Sequence, residues 1–218
     1  MVSNNKELTN MKIAVIGTGN MGAGLARLLA GTGSDVVIGH RDPAKAASFA
    51  AELGSNVEAG GIAAAVKLAD IVILAVPYGA VAETLKAAGN LKGKVLVDIT
   101  NPVTSDFRGL VVGHSTSAAE EIQVLAPEAT VVKAFNTIFS QLLPVEGRRG
   151  KVLQVFVAGD DEKAKDAVSR LAKSAGFEAV DAGPLTNARF LEPIGEMNIH
   201  FGFFLGKGPT VAPDWVQV

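Results

Sequence analysis

Gly17-Thr18-Gly19-Asn20-Met21-Gly22 is a G-x-G-x-x-G that follows the apolar run Lys12–Ile16 and opens an apolar stretch from Asn20 to about Ala30. At the first strand-to-helix turn of a βαβ unit each glycine has a physical reason. Gly17 permits the tight turn, Gly19 removes the Cβ that would hold the backbone off a pyrophosphate, and Gly22 lets helix and strand pack closely. The helix N-terminus then offers unpaired N–H groups and partial positive charge to the phosphates. The loop predicts a bound dinucleotide. Gly24 reads as a helix-packing glycine.

Outward from the loop, apolar runs at Lys12–Gly17, Asp35–Gly39, Asp70–Val76, Lys94–Ile99 and Thr130–Ala134 alternate with alanine-rich helical stretches. That alternation predicts an α/β chain with a doubly wound, mostly parallel sheet of Rossmann type, buried on both faces. Asp42-Pro43 supplies a helix cap followed by proline at the first helical position, and Ser117-Ala-Ala-Glu120 has capping-box spacing. Past residue 143 the rhythm changes. Strands are expected at Val152–Ala158 and Phe177–Asp181, with a helix from about Asp161 to Ala175 between them. The reading divides the chain into a flexible extension (1–10), a dinucleotide-binding domain (11–143) and a C-terminal extension on the same sheet (144–218). Asn187 to Leu205 reads as a helix broken by Pro193, Gly195 and Gly202.

The end of the second strand decides which dinucleotide is expected. An acidic residue there would bond the ribose 2′-hydroxyl of NAD. This chain has Gly39-His40-Arg41-Asp42 instead. A guanidinium matches a 2′-phosphate bidentately, so Arg41 is the expected anchor, assisted by His40 and Lys45, and the cofactor is read as NADP(H). Asp42 is read as the helix cap rather than a ribose ligand.

Composition narrows the chemistry. A net charge of −2 over 218 residues without a basic run disfavours nucleic acid and anionic membranes as partners. The chain has no cysteine, so redox chemistry must come from a cofactor. No apolar run approaches membrane-span length, and the cytoplasm is the expected location. His40, His114 and His200 show no metal-ligand spacing. No side chain is singled out as a catalytic acid or base.

Several motifs together resemble a known family: Ile13 to Gly22, Gly39-His40-Arg41, Leu74-Ala-Val-Pro77, Val131-Val-Lys-Ala-Phe-Asn136-Thr137, Val157-Ala-Gly159-Asp-Asp and Asp181-Ala-Gly-Pro-Leu-Thr-Asn187-Ala-Arg189. The set is similar to the NADPH-dependent reductases of coenzyme F420, a deazaflavin, and to the NADPH domain of the STEAP metalloreductases, in which a flavin takes the hydride. The likeness runs from Met11 to about Leu205. It implies that Thr18, Asn20 and Met21 line the diphosphate, that Ala75, Val76 and Pro77 close over the dinucleotide, and that Asn136 and Thr137 lie near the nicotinamide.

Ring-to-ring hydride transfer is carried by the cofactors, so such a site needs no triad or metal. The function expected is therefore transfer between NADP(H) and a flavin-like or deazaflavin acceptor. Two alternatives stand beside it: an NADPH sensor without turnover, and a reductase of a small imine or oxo substrate, which the short C-terminal region disfavours. Asn101 is either a ligand of the nicotinamide ribose or part of an Asn-Pro turn. Asn187 and Arg189 either face the acceptor or, for Arg189, pair with Glu192. His114 reads as a loop residue and His200 as a packed one. The apolar run Phe201-Gly-Phe203-Phe204-Leu205 predicts a homodimer contact or an acceptor-pocket wall, with packing on the sheet as the alternative.

Overall fold

A computed structural model describes residues 11–218; the expected N-terminal extension lies outside them. Eight strands form one sheet: β1 (Ile13–Ile16), β2 (Val36–Gly39), β3 (Val57–Gly60), β4 (Ile71–Leu74), β5 (Val95–Asp98), β6 (Thr130–Lys133), β7 (Gln154–Gly159) and β8 (Glu178–Asp181). Their order is β3-β2-β1-β4-β5-β6-β7-β8. Every pairing is parallel except β6 with β7, where Val132 faces Gly159 and Lys133 faces Ala158. The chain first winds outward from β1 to β3 and then crosses back to β4. The reversal opens a crevice above the carboxyl ends of β1 and β4, where sheets of this kind take ligands.

Unbroken apolar runs make sense for strands covered on both sides. One face carries Ile13, Val15, Ile38 and Ile73 under α1 (Asn20–Gly31), α2 (Pro43–Leu53) and α6 (Glu162–Ser174). The other carries Ala14, Ile16, Val37 and Leu74 under α3 (Ile62–Leu68), α4 (Val81–Ala88) and α5 (Ala118–Leu125). The predicted caps form. Asp42 Oδ1 accepts the N–H groups of Ala44 (3.0 Å) and Lys45 (3.4 Å), and Ser117 Oγ accepts that of Glu120 at 3.2 Å.

Two expectations need correction. The sequence reading has no strand between 39 and 70, yet β3 and α3 lie there. β3 is a half-buried edge strand, Val-Glu-Ala-Gly, with too little apolar character to stand out. The C-terminal helix is also less broken than expected. α7 runs unbroken from Ala188 to Ile199 with Pro193 inside it, and continues as a π-helical turn over His200–Phe204. Pro193 lies on the exposed side, where water can satisfy the carbonyl that loses its N–H partner. The glycines serve packing. A Cβ on Gly195 would overlap the Asn101 side-chain amide, and one on Gly202 would crowd the Phe139 ring and the Gly208 carbonyl.

Candidate functional site

The glycine loop forms the floor of the crevice. Gly17 has φ 108°, open to glycine alone at little cost, and a Cβ there would strike the Ala75 carbonyl oxygen at the end of β4. A Cβ on Gly22 would strike the carbonyl of Gly17, so helix and turn are in backbone contact. Gly19, the N-cap of α1, has nothing within 4 Å of where its Cβ would stand. The loop thus presents a bare backbone cradle at a helix N-terminus, a shape that fits a pyrophosphate. Thr18, Asn20 and Met21 border it in sequence, and Ala75-Val76-Pro77 forms the opposite lip. Gly24 packs on Leu143 instead.

At the end of β2, His40 Nδ1 lies 3.0 Å from Asp42 N and 3.1 Å from Asp42 O, which pins the ring to the turn. Arg41 and Lys45 are exposed there, one on the turn and one on the first turn of α2. Asp42 is committed to capping α2.

Above the carboxyl ends of β1, β5 and β6 lies a cavity of about 550 Å³, bounded by Asn20 and Met21 of the glycine-loop helix, by Asn101, Asn136 and Thr137, and by Gly195, Asn198, Phe203 and Phe204 of the C-terminal helix. Ile99, Phe107, Phe135, Ile138, Phe139, Ser140, Gln141 and Ile199 complete the wall, which contains no ionisable side chain. Phe135 has φ 59°, a left-handed conformation rare for an aromatic residue, held by burial and an edge-on contact with Phe177. This turn redirects the chain out of β6 and brings Asn136 and Thr137 to the cavity.

Three asparagines tie the wall together. Asn101 Nδ2 donates to the Asn136 carbonyl at 2.8 Å, Asn136 Nδ2 donates to Asn101 Oδ1 (2.9 Å) and Leu191 O (2.8 Å), and Asn198 Nδ2 donates to Thr137 O at 3.1 Å. Both protons of the Asn136 amide are spent, which fixes its orientation and leaves Oδ1 without a partner. Asn101 is therefore more than a turn residue.

Beneath the cavity is a charge cluster that the sequence reading missed. Lys133 is fully buried; its Nζ donates to Asp98 Oδ2 (2.7 Å), Glu192 Oε1 (2.8 Å) and the Thr100 carbonyl. Glu192 also accepts the N–H groups of Ala118 (2.9 Å) and Ala119 (3.2 Å) at the start of α5. Burial pushes the Glu192 carboxyl above its ordinary range, while the Lys133 ammonium opposes that shift. A lysine inside the apolar run Val131-Val-Lys-Ala-Phe was the available signal, because a buried ammonium needs partners.

Arg189 accordingly does not pair with Glu192. It grips Glu120, with Nε 2.8 Å from Oε2, while Asn187 Nδ2 donates to the Ala182 carbonyl at 2.6 Å; neither lines the cavity. His114 borders a separate depression with Arg189 and Glu196. His200 packs on Phe204, ring centroids 4.8 Å apart. Phe203 and Phe204 wall the cavity, whereas Phe201 faces outward. Among the described residues, no group of three or more His, Cys, Asp or Glu could hold a metal, and no helix is long and apolar enough to cross a membrane.

The chain matches known proteins in sequence as well as in overall fold. The F420-dependent NADP reductase of Methanothermobacter marburgensis is 39% identical over 207 residues, spanning 87% of this chain and 92% of that protein. The chain belongs to the coenzyme F420-dependent NADP oxidoreductase family. The family's profile, described as NADP oxidoreductase, coenzyme F420-dependent, matches residues 12–102. A crystal structure provisionally titled an F420-dependent NADP reductase, from an Arthrobacter species, superposes with a TM-score of 0.81 at 36% identity, covering 90% of this chain and 96% of the other. The metalloreductase STEAP3 of Rattus norvegicus is 34% identical over 183 residues, covering 84% of this chain; the chain spans 36% of that relative. As a member of this family the chain is an NADP-dependent oxidoreductase.

Proposed function

We propose that this member transfers a hydride between NADP(H) and a planar deazaflavin or flavin ring held in the 550 Å³ cavity. The carrying observation is the cavity's lining: phenylalanines, aliphatics and amides beside the phosphate cradle, without an ionisable group. A flat ring with amide-like edges suits such walls. Reduction of a carbonyl or imine localises charge on one heteroatom and calls for an acid in reach, and none lines this cavity; the ring anion left by hydride transfer is delocalised and can take its proton from solvent.

The residues divide the work. The backbone of Gly17, Thr18, Gly19 and Gly22 would receive the pyrophosphate, with Asn20 and Met21 at the start of α1. Arg41 would pair with the 2′-phosphate, with Lys45 and the His40 ring nitrogen not committed to Asp42 assisting. Ala75, Val76 and Pro77 would cover the dinucleotide, and Asn101, Asn136 and Thr137 would frame its nicotinamide end. Bound NADPH would supply the hydride. Ile99, Phe135 and Phe139 keep water away from the reacting faces. The rigid asparagine ladder holds the two ring sites in register, which is the protein's main contribution to such a reaction.

Outward-facing Phe190, Met197 and Phe201, at i, i+7 and i+11 along α7 and its π turn, form an apolar stripe. A second copy of the chain would cover it, making a homodimer with α7 at its centre. Cytoplasmic NADPH would be the working pool. Steady-state oxidation of NADPH with coenzyme F420, FMN and riboflavin as acceptors tests the reading. Acceleration by at least one ring is expected, and tight NADPH binding without turnover on any of them would make the protein a sensor.

A further inference from the structure

The mouth of the cavity carries charge that its walls lack. Between β5 and α5 the chain doubles back through a bridge of Val103 with Leu110, and Thr104 N donates to the Gly109 carbonyl at 2.7 Å. Side chains lock the tip: Thr104 Oγ1 accepts from Arg108 N (3.2 Å) and Gly109 N (3.1 Å) and donates to Asp106 Oδ1 (2.6 Å). Within it, Phe107 adopts φ 57° and is 50% exposed, yet its side chain borders the cavity. A left-handed phenylalanine persists only where its surroundings dictate it, and such residues gather at ligand clamps. Arg108 follows, its guanidinium 4.5 Å above the ring of Phe204, a wall residue. The neighbouring carboxylate, Asp106, accepts from Thr104 and from the Arg108 backbone N–H (3.2 Å); the Arg108 charge also helps to hold Asp106 below its ordinary range, but the described residues give Arg108 no direct ion pair.

We propose that this tip clamps the acceptor: Phe107 covers the face of the ring, and Arg108 pairs with a phosphate ester on the ring's side chain. The proposal rests on the cavity being the acceptor site, and adds to it the two residues that would hold the ring and its phosphate at the mouth. The lining argues for the division of labour. A neutral, aromatic pocket takes the ring, and the anion that would be costly inside it reaches the guanidinium at the mouth, where the planar fork matches a phosphate. The Phe204 contact restrains Arg108 before the ligand arrives, so less side-chain freedom is lost on binding.

Quenching of flavin fluorescence, read with NADP+-saturated protein, separates the parts. Wild type is expected to bind FMN about 10- to 100-fold more tightly than riboflavin, the range for a charge-assisted pair. Arg108→Ala should bring FMN to the riboflavin level while riboflavin and NADP+ bind as in wild type, and Phe107→Ala should weaken both rings alike. Equal affinity of wild type for the two rings, no binding of either, or equal losses in Arg108→Ala would overturn the clamp. Turnover distinguishes this failure from that of the hydride-transfer reading. Phosphate-selective binding without NADPH oxidation would sink the reaction and keep the clamp, and oxidation with equal KM for both rings would do the reverse.

Discussion

On the proposed reading Arg41 carries the choice between NADPH and NADH, because the turn from Gly39 to Asp42 holds one carboxylate and that one caps α2. Arg41→Ala is expected to weaken NADPH about 10- to 100-fold while changing NADH little, as loss of a charge-assisted pair to a 2′-phosphate should. Binding titrations with both nucleotides check this, and equal losses would contradict the assignment. Gly22→Ala tests the loop itself. Its Cβ would meet the backbone oxygen of Gly17, which no rotamer change relieves, so a cost of about 1–3 kcal/mol is expected together with loss of dinucleotide binding. The glycine turn and the Asp42 cap were readable from the sequence because each depends on local chain geometry and on spacing from one strand end. Asn136 could not be interpreted that way. Its orientation follows from Asn101, 35 residues earlier, and from the Leu191 carbonyl, 55 residues later, a juxtaposition that only the folded sheet creates.

The elements most exposed to single changes are β6, α5 and α7, joined by the buried charges. Lys133→Met keeps the volume but strands Asp98 and Glu192 without their cation, and about 3–5 kcal/mol of stability should be lost in urea denaturation. Adding Glu192→Gln to that variant should recover part of it. Strand existence was legible wherever apolar runs were continuous. The edge strand β3 was not, and α7 was misjudged because its glycines read as breakers when they are contact points for Asn101 and Phe139. On the outer side of the same helices, Glu120 is held below the usual carboxylate range, chiefly by its hydrogen bond from Arg189 and also by Ser117. A carboxyl depressed in the folded state stabilises the fold above its ordinary value of 4.5 and loses that contribution as pH falls through the lowered one. The melting-temperature gap between wild type and Glu120→Gln should therefore stay constant from neutrality to about pH 4.5 and close in more acidic buffer.

At the scale of the whole molecule, one sheet unites the dinucleotide half with β7 and β8, and α7 lies across their boundary so that one side walls the cavity and the other is apolar and exposed. A dimer through that outer side would brace the helix that walls the proposed acceptor cavity. Light scattering at micromolar concentration should give twice the chain mass, and Phe190→Asp with Phe201→Asp should give a monomer with weaker acceptor binding but unchanged NADP+ binding. The central claim is direct passage of hydride between two rings, and isotope transfer tests it most closely. NADPH carrying deuterium at one face of C4 is incubated with oxidised coenzyme F420, whose C5 hydrogen does not exchange with water, and the products are read by mass spectrometry. The account predicts deuterium in the reduced deazaflavin from one face of NADPH and none from the other. Reduced deazaflavin that carries no deuterium from either face would contradict it.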